Sequence, residues 1–526
     1  MSGKKLSIWL PLLLAVILVI GMILGYQLNV TTQSGSFLHN GGSSSLQEVI
    51  DLINTKYVDA IRPDSFKQAM IEQSLANLDP HSVYIPPKEV KEVNEELMGN
   101  FQGIGVEFQV FNDTINVVNV IPNGPAAQAG MMVGDALLKA NDTIQLVGKL
   151  DPHSIKNKLR GPSGSVVKIT LLRNGQLQNV TIKRGSILVP SVEVAYMVTT
   201  DVGYIKINRF GERTFEEFMQ KLEGLQKQGM KKLILDLRGN GGGILTEATA
   251  IADQFLDDEK LIVYTEGAHS PRIDYRCKRD GIFEKNPLVV LVNETTASAS
   301  EVLSGALQDW NRATIIGRRT FGKGLVQQQF QLSNGGALRL TVARYYTPLG
   351  RNIQKPYNKG KEAYEDELIN RFHDGELLKL DSSKLKGTAY KTPNGHLVYG
   401  GGGVTPDIFV PYDTTLLRSS LNKIFSKNTI NRYVYKLYLK NKQYFDNFKN
   451  MEAFEKAFQL NKANWVKLEA CLQADSLRLP QSAMVRNELK LRVKALMARQ
   501  LFGATGYFEI INAKDETFEK ALQQMK

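Results

Sequence analysis

The chain has 526 residues, 43 % of them hydrophobic and 22 % charged. At the usual domain size of about 100–200 residues this predicts three or four folded units, and it excludes a single module, a disordered chain and a many-span membrane protein. The net charge is +12, but Lys and Arg are scattered and interleaved with acids, so a solvated surface is expected and nucleic acid is not.

Lys4 and Lys5 precede an uncharged stretch from Leu6 to Leu28, and no further Lys or Arg occurs until Lys56. The apolar run is long enough to span a bilayer as a helix, and the basic flank puts the remainder on the far side of the membrane. A cleaved signal peptide competes with this reading, but its apolar run is shorter and ends in small residues, whereas here YQLNVTTQ follows. The expected order is therefore a cytoplasmic tip and transmembrane anchor over 1–30, then a Gly/Ser-rich flexible tether over 31–45.

Apolar residues at helical spacing, such as Val49, Ile50, Ile53 and Phe66, Met70, Ile71, predict a helical region over 46–99 that contains the turn-rich LDPHSVYIP (78–86). Between 100 and 184 short β-like runs, VEFQV, INVVNV and VVKITLL, are punctuated by Gly, Pro and Asn, which predicts a compact β-rich domain. From 185 to 412 apolar strands alternate with helices: strands at 203–207, 232–238, 287–293 and 313–317, helices near 213–227, 244–256 and 297–309. That alternation predicts an α/β core with a buried, largely parallel sheet. A charged insertion at 355–399 interrupts it before GGGGVTPDI (400–408). A helical C-terminal extension over 413–526 completes the chain, packed on the main body or on a second copy. Cys277 and Cys471 are far apart and offer neither a disulfide framework nor metal-ligand spacing.

Three segments follow strands of the α/β region, where open parallel sheets place their sites. DLRGNGGG (236–243) can expose successive N–H groups to an anion or oxyanion, or can be no more than a flexible turn. In VNETTASASEVLSGALQDW (292–310) a helix begins near Thr296 or Ser298, which gives Ser298 a helix-dipole environment and leaves the Ala299 N–H unpaired; Ser298-x-x-Glu301 also reads as an ordinary capping box. IIGRRTFGKGLVQQQFQL (315–332) imitates a phosphate-binding loop, but Gly324 stands where the magnesium-binding Ser or Thr belongs, and LVQQQFQL favours a strand over a helix. The six histidines, His39, His81, His153, His269, His373 and His396, do not lie beside these strand ends. A lysine can replace histidine as general base if burial or a cationic neighbour keeps it neutral. Lys323, flanked by Gly322 and Gly324, is the candidate, and Gln327 can orient it only if the segment between them is bent.

DLRGNGGG, TASASE, TFGKGLVQ and GGVTPDI in this order, with LDPHS upstream, resemble the carboxyl-terminal processing, or tail-specific, serine proteases over roughly residues 46–410. The resemblance implies that Ser298 is the nucleophile, Lys323 the base and Gln327 its positioning partner, with an oxyanion hole from Ala299 and Gly242. Thr296 departs from the usual SASA word, and Ser300 reads as a helix-start residue. The resemblance also implies that 100–184 is a PDZ domain, with FQGIGVEFQV supplying the carboxylate-binding loop Gly103, Ile104, Gly105 and Val106. The expected function is a periplasmic serine endopeptidase that captures protein substrates by exposed C-terminal tails. No metal or cofactor is implied. An adaptor protein and self-association through the C-terminal helices are further partner expectations. The competing readings are an inactive PDZ scaffold that binds protein tails and a nucleotide hydrolase.

Overall fold

The computed structural model describes residues 45–148, 151–257, 259–379, 387–414, 419–479 and 482–526. The expected anchor and all but the last residue of the tether lie outside them, and among the described residues no helix is long and apolar enough to cross a membrane. The chain divides into two compact units, one up to Ile71 and one from Glu72 onward. The first contains the helix Ser45–Lys56 and the start of Pro63–Ala76; all functional geometry below belongs to the second.

The predicted alternation forms a six-stranded sheet. Val194–Met197 pairs antiparallel with Val202–Lys206, after which Lys232–Asp236, Leu288–Val292, Thr314–Gly317 and Ile408–Phe409 follow in parallel order. Leu288–Val292 is apolar at every position, and Lys232–Asp236 at its three middle ones, because both faces are covered. On one face Leu233, Leu235, Val290 and Ile315 pack with Phe218, Phe255 and Leu303. On the other, Ile234, Val289, Leu291 and Ile316 meet Phe518 and Ala521. Phe518 and Ala521 belong to the helix Glu516–Gln524, so this helix completes the α/β core and is not a mere appendage. Arg238 binds Asp515 at 2.9 Å beside this contact.

A second, antiparallel sheet flanks the first. Ala337–Tyr346 pairs with Leu325–Gln331, with Leu261–Gly267 and with the short strand Val83–Ile85. This strand, inside the turn-rich 78–86, adds to the helical reading of 46–99: Val83 pairs with Arg339 and Ile85 with Ala337, so the hairpin supplies a partner that local periodicity could not reveal. LVQQQFQL is a strand, as its composition predicts.

The β-rich domain is an inserted body. Asn100–Gly103 pairs with Gly185–Leu188 to form a two-stranded stem, and between them lie the sheet built on Val106–Phe111, Thr114–Val120, Ala136–Ala140, Val166–Arg173 and Gln176–Lys183 and the helix Pro152–Leu159. In the C-terminal extension, helices Thr429–Lys440, Lys462–Ala474 and Ala483–Asn512 share a core with Phe454 and Phe458. They dock on the β-rich domain: Tyr435 Oη donates to Val117 O at 3.1 Å and Gln500 Nε2 to Val118 O at 2.9 Å.

Phe518 is 3 % exposed, and truncation of such a residue costs about 3–5 kcal/mol. Phe518→Ala should lower the core's calorimetric unfolding transition by at least about 6 °C, whereas truncation of the exposed Tyr444 (51 % accessible) should leave that transition in place.

Candidate active site

The three segments singled out in sequence leave the C-terminal ends of three adjacent parallel strands, so the sheet order Lys232–Asp236, Leu288–Val292, Thr314–Gly317 brings them together. Ser298 is the N-cap of the helix Ala299–Asp309 and has φ 57° and ψ −118°. A non-glycine residue in this region is strained, and such strain is held only where the surroundings over-determine it.

Those surroundings are two buried residues, Asn240 through its backbone carbonyl and Glu301 through its carboxylate. Asn240 accepts at its carbonyl from Ala297 N (3.0 Å) and Ser300 Oγ (3.1 Å), and donates from Nδ2 to Ile207 O (3.0 Å). This ties the glycine turn to the serine and gives Ser300 a structural task. Glu301 accepts from Ser298 N (2.9 Å), Gly322 N (2.7 Å), Lys323 N (2.8 Å) and the Thr320 hydroxyl. The helix that carries the serine and the loop that carries the lysine thus share one carboxylate. Burial pushes Glu301 up to about 7 against the pull of these donors. Thr296, the departure from the usual word, uses its hydroxyl to donate to Leu237 O at 2.9 Å, so the substitution leaves the turn intact.

Ser298, Ala299, Gly242, Lys323 and Gln327 all line one cleft of about 620 Å³. A Cβ on Gly242 would stand 2.7 Å from Ser298 Cβ and 2.9 Å from Ala299 N, so only glycine permits this approach. Among the described residues, the Ala299 amide donates to nothing. Gly242 is different: its N–H is donated to Asn240 Oδ1 at 2.8 Å, so of the two expected oxyanion donors one is free and one is occupied.

The chain around Lys323 and up to Gln327 is irregular. Gly322 has φ +89°, and Gly324 packs so closely on Gln354 that an added Cβ would lie 2.9 Å from its N. The strand begins at Leu325, and a bulge separates Val326 from Gln327. Among the described residues, the Lys323 amine has neither a hydrogen bond nor an ion pair, to Ser298, to Gln327 or to any other group. Burial holds its pKa below the ordinary lysine range, and Arg339 across the cleft adds to this, while Glu301 and Asp79 oppose it. Gln327 Nε2 instead donates to Leu325 O (3.3 Å) and Thr341 Oγ1 (3.4 Å).

Sequence reading missed three participants. Tyr345 Oη donates to the Lys323 carbonyl, Arg339 lines the cleft, and Asp79 of LDPHS lies close enough to Lys323 to influence it. The first two come from the second sheet and carry no local signature. Asp79 stood in a recognised word whose partner was not visible.

The loop Gly103, Ile104, Gly105 and Val106 lines a separate groove of about 380 Å³ with Phe101, Leu159 and Arg160. The amides of Ile104 and Gly105 have no acceptor among the described residues, and the strand Val106–Phe111 lies at a sheet edge with only Thr114–Val120 beside it. Arg160 reaches Glu92 of the helix Pro87–Met98 at 3.1 Å.

Comparison with known proteins agrees with this architecture. Peptidase family S41 matches residues 201–361 and the PDZ domain family residues 102–183, while residues 420–503 match a family of unknown function. The carboxy-terminal-processing protease of Bartonella bacilliformis is 33 % identical over 344 residues, covering 65 % of this chain and 79 % of that protein. A probable CtpA-like serine protease of Staphylococcus aureus is 36 % identical over 350 residues, 65 % of this chain and 68 % of its own. Among solved structures, the photosystem II D1 C-terminal processing protease shares 27 % identity and aligns over 70 % of this chain and 86 % of that one, with a TM-score of 0.38.

Glu301 joins the serine elbow to the lysine loop beside one backbone bond, Phe321 N to Thr296 O at 2.9 Å, and Glu301→Ala should leave the amides of Ser298, Gly322 and Lys323 without an acceptor. The protein should lose at least about 3 kcal/mol of stability, seen as a lower thermal transition, and kcat should fall far more than KM rises. With its strained serine, glycine turn and lysine loop on adjacent strand ends and a PDZ domain inserted ahead of them, the chain belongs to peptidase family S41, as a carboxy-terminal processing serine protease.

Proposed function

We propose that the chain is a serine endopeptidase whose nucleophile is Ser298 and whose general base is Lys323. The observation that carries this reading is the pairing of a strained serine, beside a free Ala299 amide, with a buried lysine amine in the same cleft that is neutralised by no acid. In the reaction, Ser298 Oγ attacks the peptide carbonyl and its proton passes to the neutral Nζ of Lys323. The resulting ammonium returns that proton to the leaving amine. Water, deprotonated by the same amine, then hydrolyses the acyl-enzyme. The Ala299 N–H stabilises the oxyanion, and the Gly242 N–H joins it when Asn240 Oδ1 releases it. Gln327 orients the amine through its carbonyl oxygen.

Substrates are recruited by their C-terminal tails. The free amides of Ile104 and Gly105 supply donors for a terminal carboxylate, and the open edge of Val106–Phe111 accepts an added strand. The apolar run of residues 6–28, with Lys4 and Lys5 on the cytoplasmic side, anchors the enzyme so that the body faces the periplasm or exterior.

The test is cleavage of a denatured protein that ends in apolar residues. The parent chain should cut it, and Ser298→Ala and Lys323→Ala should each lose at least about 100-fold in kcat; equal products from all three would overturn the assignment. Because a general base must be unprotonated, kcat/KM should rise with pH along a limb that lies below the ordinary lysine value of about 10.4. Amidation of the substrate C-terminus should raise KM. Membrane fractions should retain the full chain and lose a chain that begins at Ser45.

A further inference from the structure

The word LDPHS is left without a task by the mechanism above, yet its acid is among the most heavily hydrogen-bonded groups near the cleft. Asp79 is 9 % exposed. Its Oδ1 accepts from His81 N (2.8 Å), Ser82 N (3.0 Å) and Thr341 Oγ1 (3.0 Å), and its Oδ2 from Ser82 Oγ (2.5 Å). Ser82 Oγ in turn accepts from Thr341 N at 3.1 Å. Thr341 is the direct cross-strand partner of Gln327, so their side chains share one face of the hairpin, and Gln327 Nε2 donates to Thr341 Oγ1 at 3.4 Å.

A threonine hydroxyl has one proton to give. At Thr341 that proton goes to Asp79, so toward Gln327 the hydroxyl can only accept. A primary amide placed against an acceptor must present its NH2, and the Leu325 carbonyl, a second acceptor at 3.3 Å, enforces the same choice. The carbonyl oxygen Oε1 of Gln327 is then the end left for the cleft. We infer that Asp79 and Thr341 are positioning residues that set the direction of the Gln327 amide, so that Oε1 accepts from the Lys323 amine and leaves the nitrogen lone pair for the Ser298 proton. The inference rests on Lys323 as base and Gln327 as its partner. It adds that the polarity of a three-member chain, Asp79 to Thr341 to Gln327, is what makes that partnership one-directional.

Without the hydroxyl the amide can turn and point NH2 at the lysine. A donor facing Lys323 disfavours the ammonium and competes for the lone pair, so turnover should fall and the acidic limb of the pH profile should move to lower pH. The charged and titratable groups that face Lys323 in either state are Arg339 and Tyr345 from the hairpin, Glu301 from the serine helix and Asp79 from the LDPHS turn. His81, which is influenced by Lys323, is held through Nε2 by Tyr364 Oη at 3.0 Å. Substitution at 341 leaves each of these residues in place; Asp79 loses the Thr341 hydroxyl and keeps its donors from His81 N, Ser82 N and Ser82 Oγ.

The experiment uses the full chain and a fluorescence-quenched peptide with a free apolar C-terminus. Thr341→Val should lower kcat by at least about 10-fold, a part of the 10²–10⁴ that positioned proton transfer supplies, with KM within about 2-fold and the acidic limb at lower pH. Thr341→Ser, which keeps the hydroxyl, should restore kcat and the limb. In a Gln327→Glu background both ends of the side chain are acceptors and no direction remains to be set. There Thr341→Val should cost less than about 3-fold, because the hydroxyl's lone pairs no longer meet a donor. Thr341→Ala removes the same hydroxyl and carries the test if Thr341→Val fails to fold. Cleavage that persists in Ser298→Ala or Lys323→Ala would overturn the assignment of the base itself. If those two are dead while Thr341→Val matches the parent in kcat and pH limb, or if its loss is equally large in the Gln327→Glu background, the positioning role is overturned and Lys323 stands as base without it.

Discussion

One buried carboxylate holds the site together. Ser298 and Lys323 arrive on different segments, and among the described residues no hydrogen bond joins them; both are fixed through Glu301, which accepts from the backbone of each. A side chain can do this only from inside a helix start, where the first amides are unpaired and point away from the helix body. The same constraint explains the strained φ of Ser298: the elbow must turn sharply for its amide to reach a carboxylate three residues ahead, and Asn240 supports the turn from the opposite side.

Around that joint the molecule is organised to make an uncharged lysine tenable. The amine is buried, meets no acid at contact distance, and faces Arg339. Desolvation and a like charge both favour the neutral form, and they come from successive elements: the loop after Thr314–Gly317 and the hairpin Leu325–Gln331 with Ala337–Tyr346 that follows it. The GGGGVTPDI segment supports the loop from behind, where Val404 N donates to Thr320 Oγ1 at 2.7 Å. The C-terminal helices contribute at a distance, since Phe518 covers the outer face of the sheet whose strand ends carry the chemistry.

What could be read from the sequence was set by locality. The parallel strands announced themselves as apolar runs, the glycine turn and helix start as short words, and the groove loop as Gly103-x-Gly105, because each needs only neighbouring residues to define it. The short strand Val83–Ile85 was hidden, since its partner lies more than 250 residues away. Thr341 was hidden for the same reason, since the Asp79 it meets lies 262 residues away. The Gly242 amide shows a different limit: the glycine stands where the motif predicts, but whether its N–H is free depends on the rotamer of Asn240, which no spacing encodes. The C-terminal extension read as helical from its periodicity, yet its task of sealing the sheet rests on Phe518 and Ala521, which look like any amphipathic pair.

The account stands on a neutral amine at Lys323 that activates Ser298. It is tested most directly by following the rate at which a fluorophosphonate modifies the enzyme across pH, with the adduct located by mass spectrometry. A single adduct on Ser298 is predicted, forming faster as pH rises through a transition below the ordinary lysine range, and absent in Lys323→Ala. Labelling that proceeds equally in Lys323→Ala, or an adduct on another residue, would contradict it.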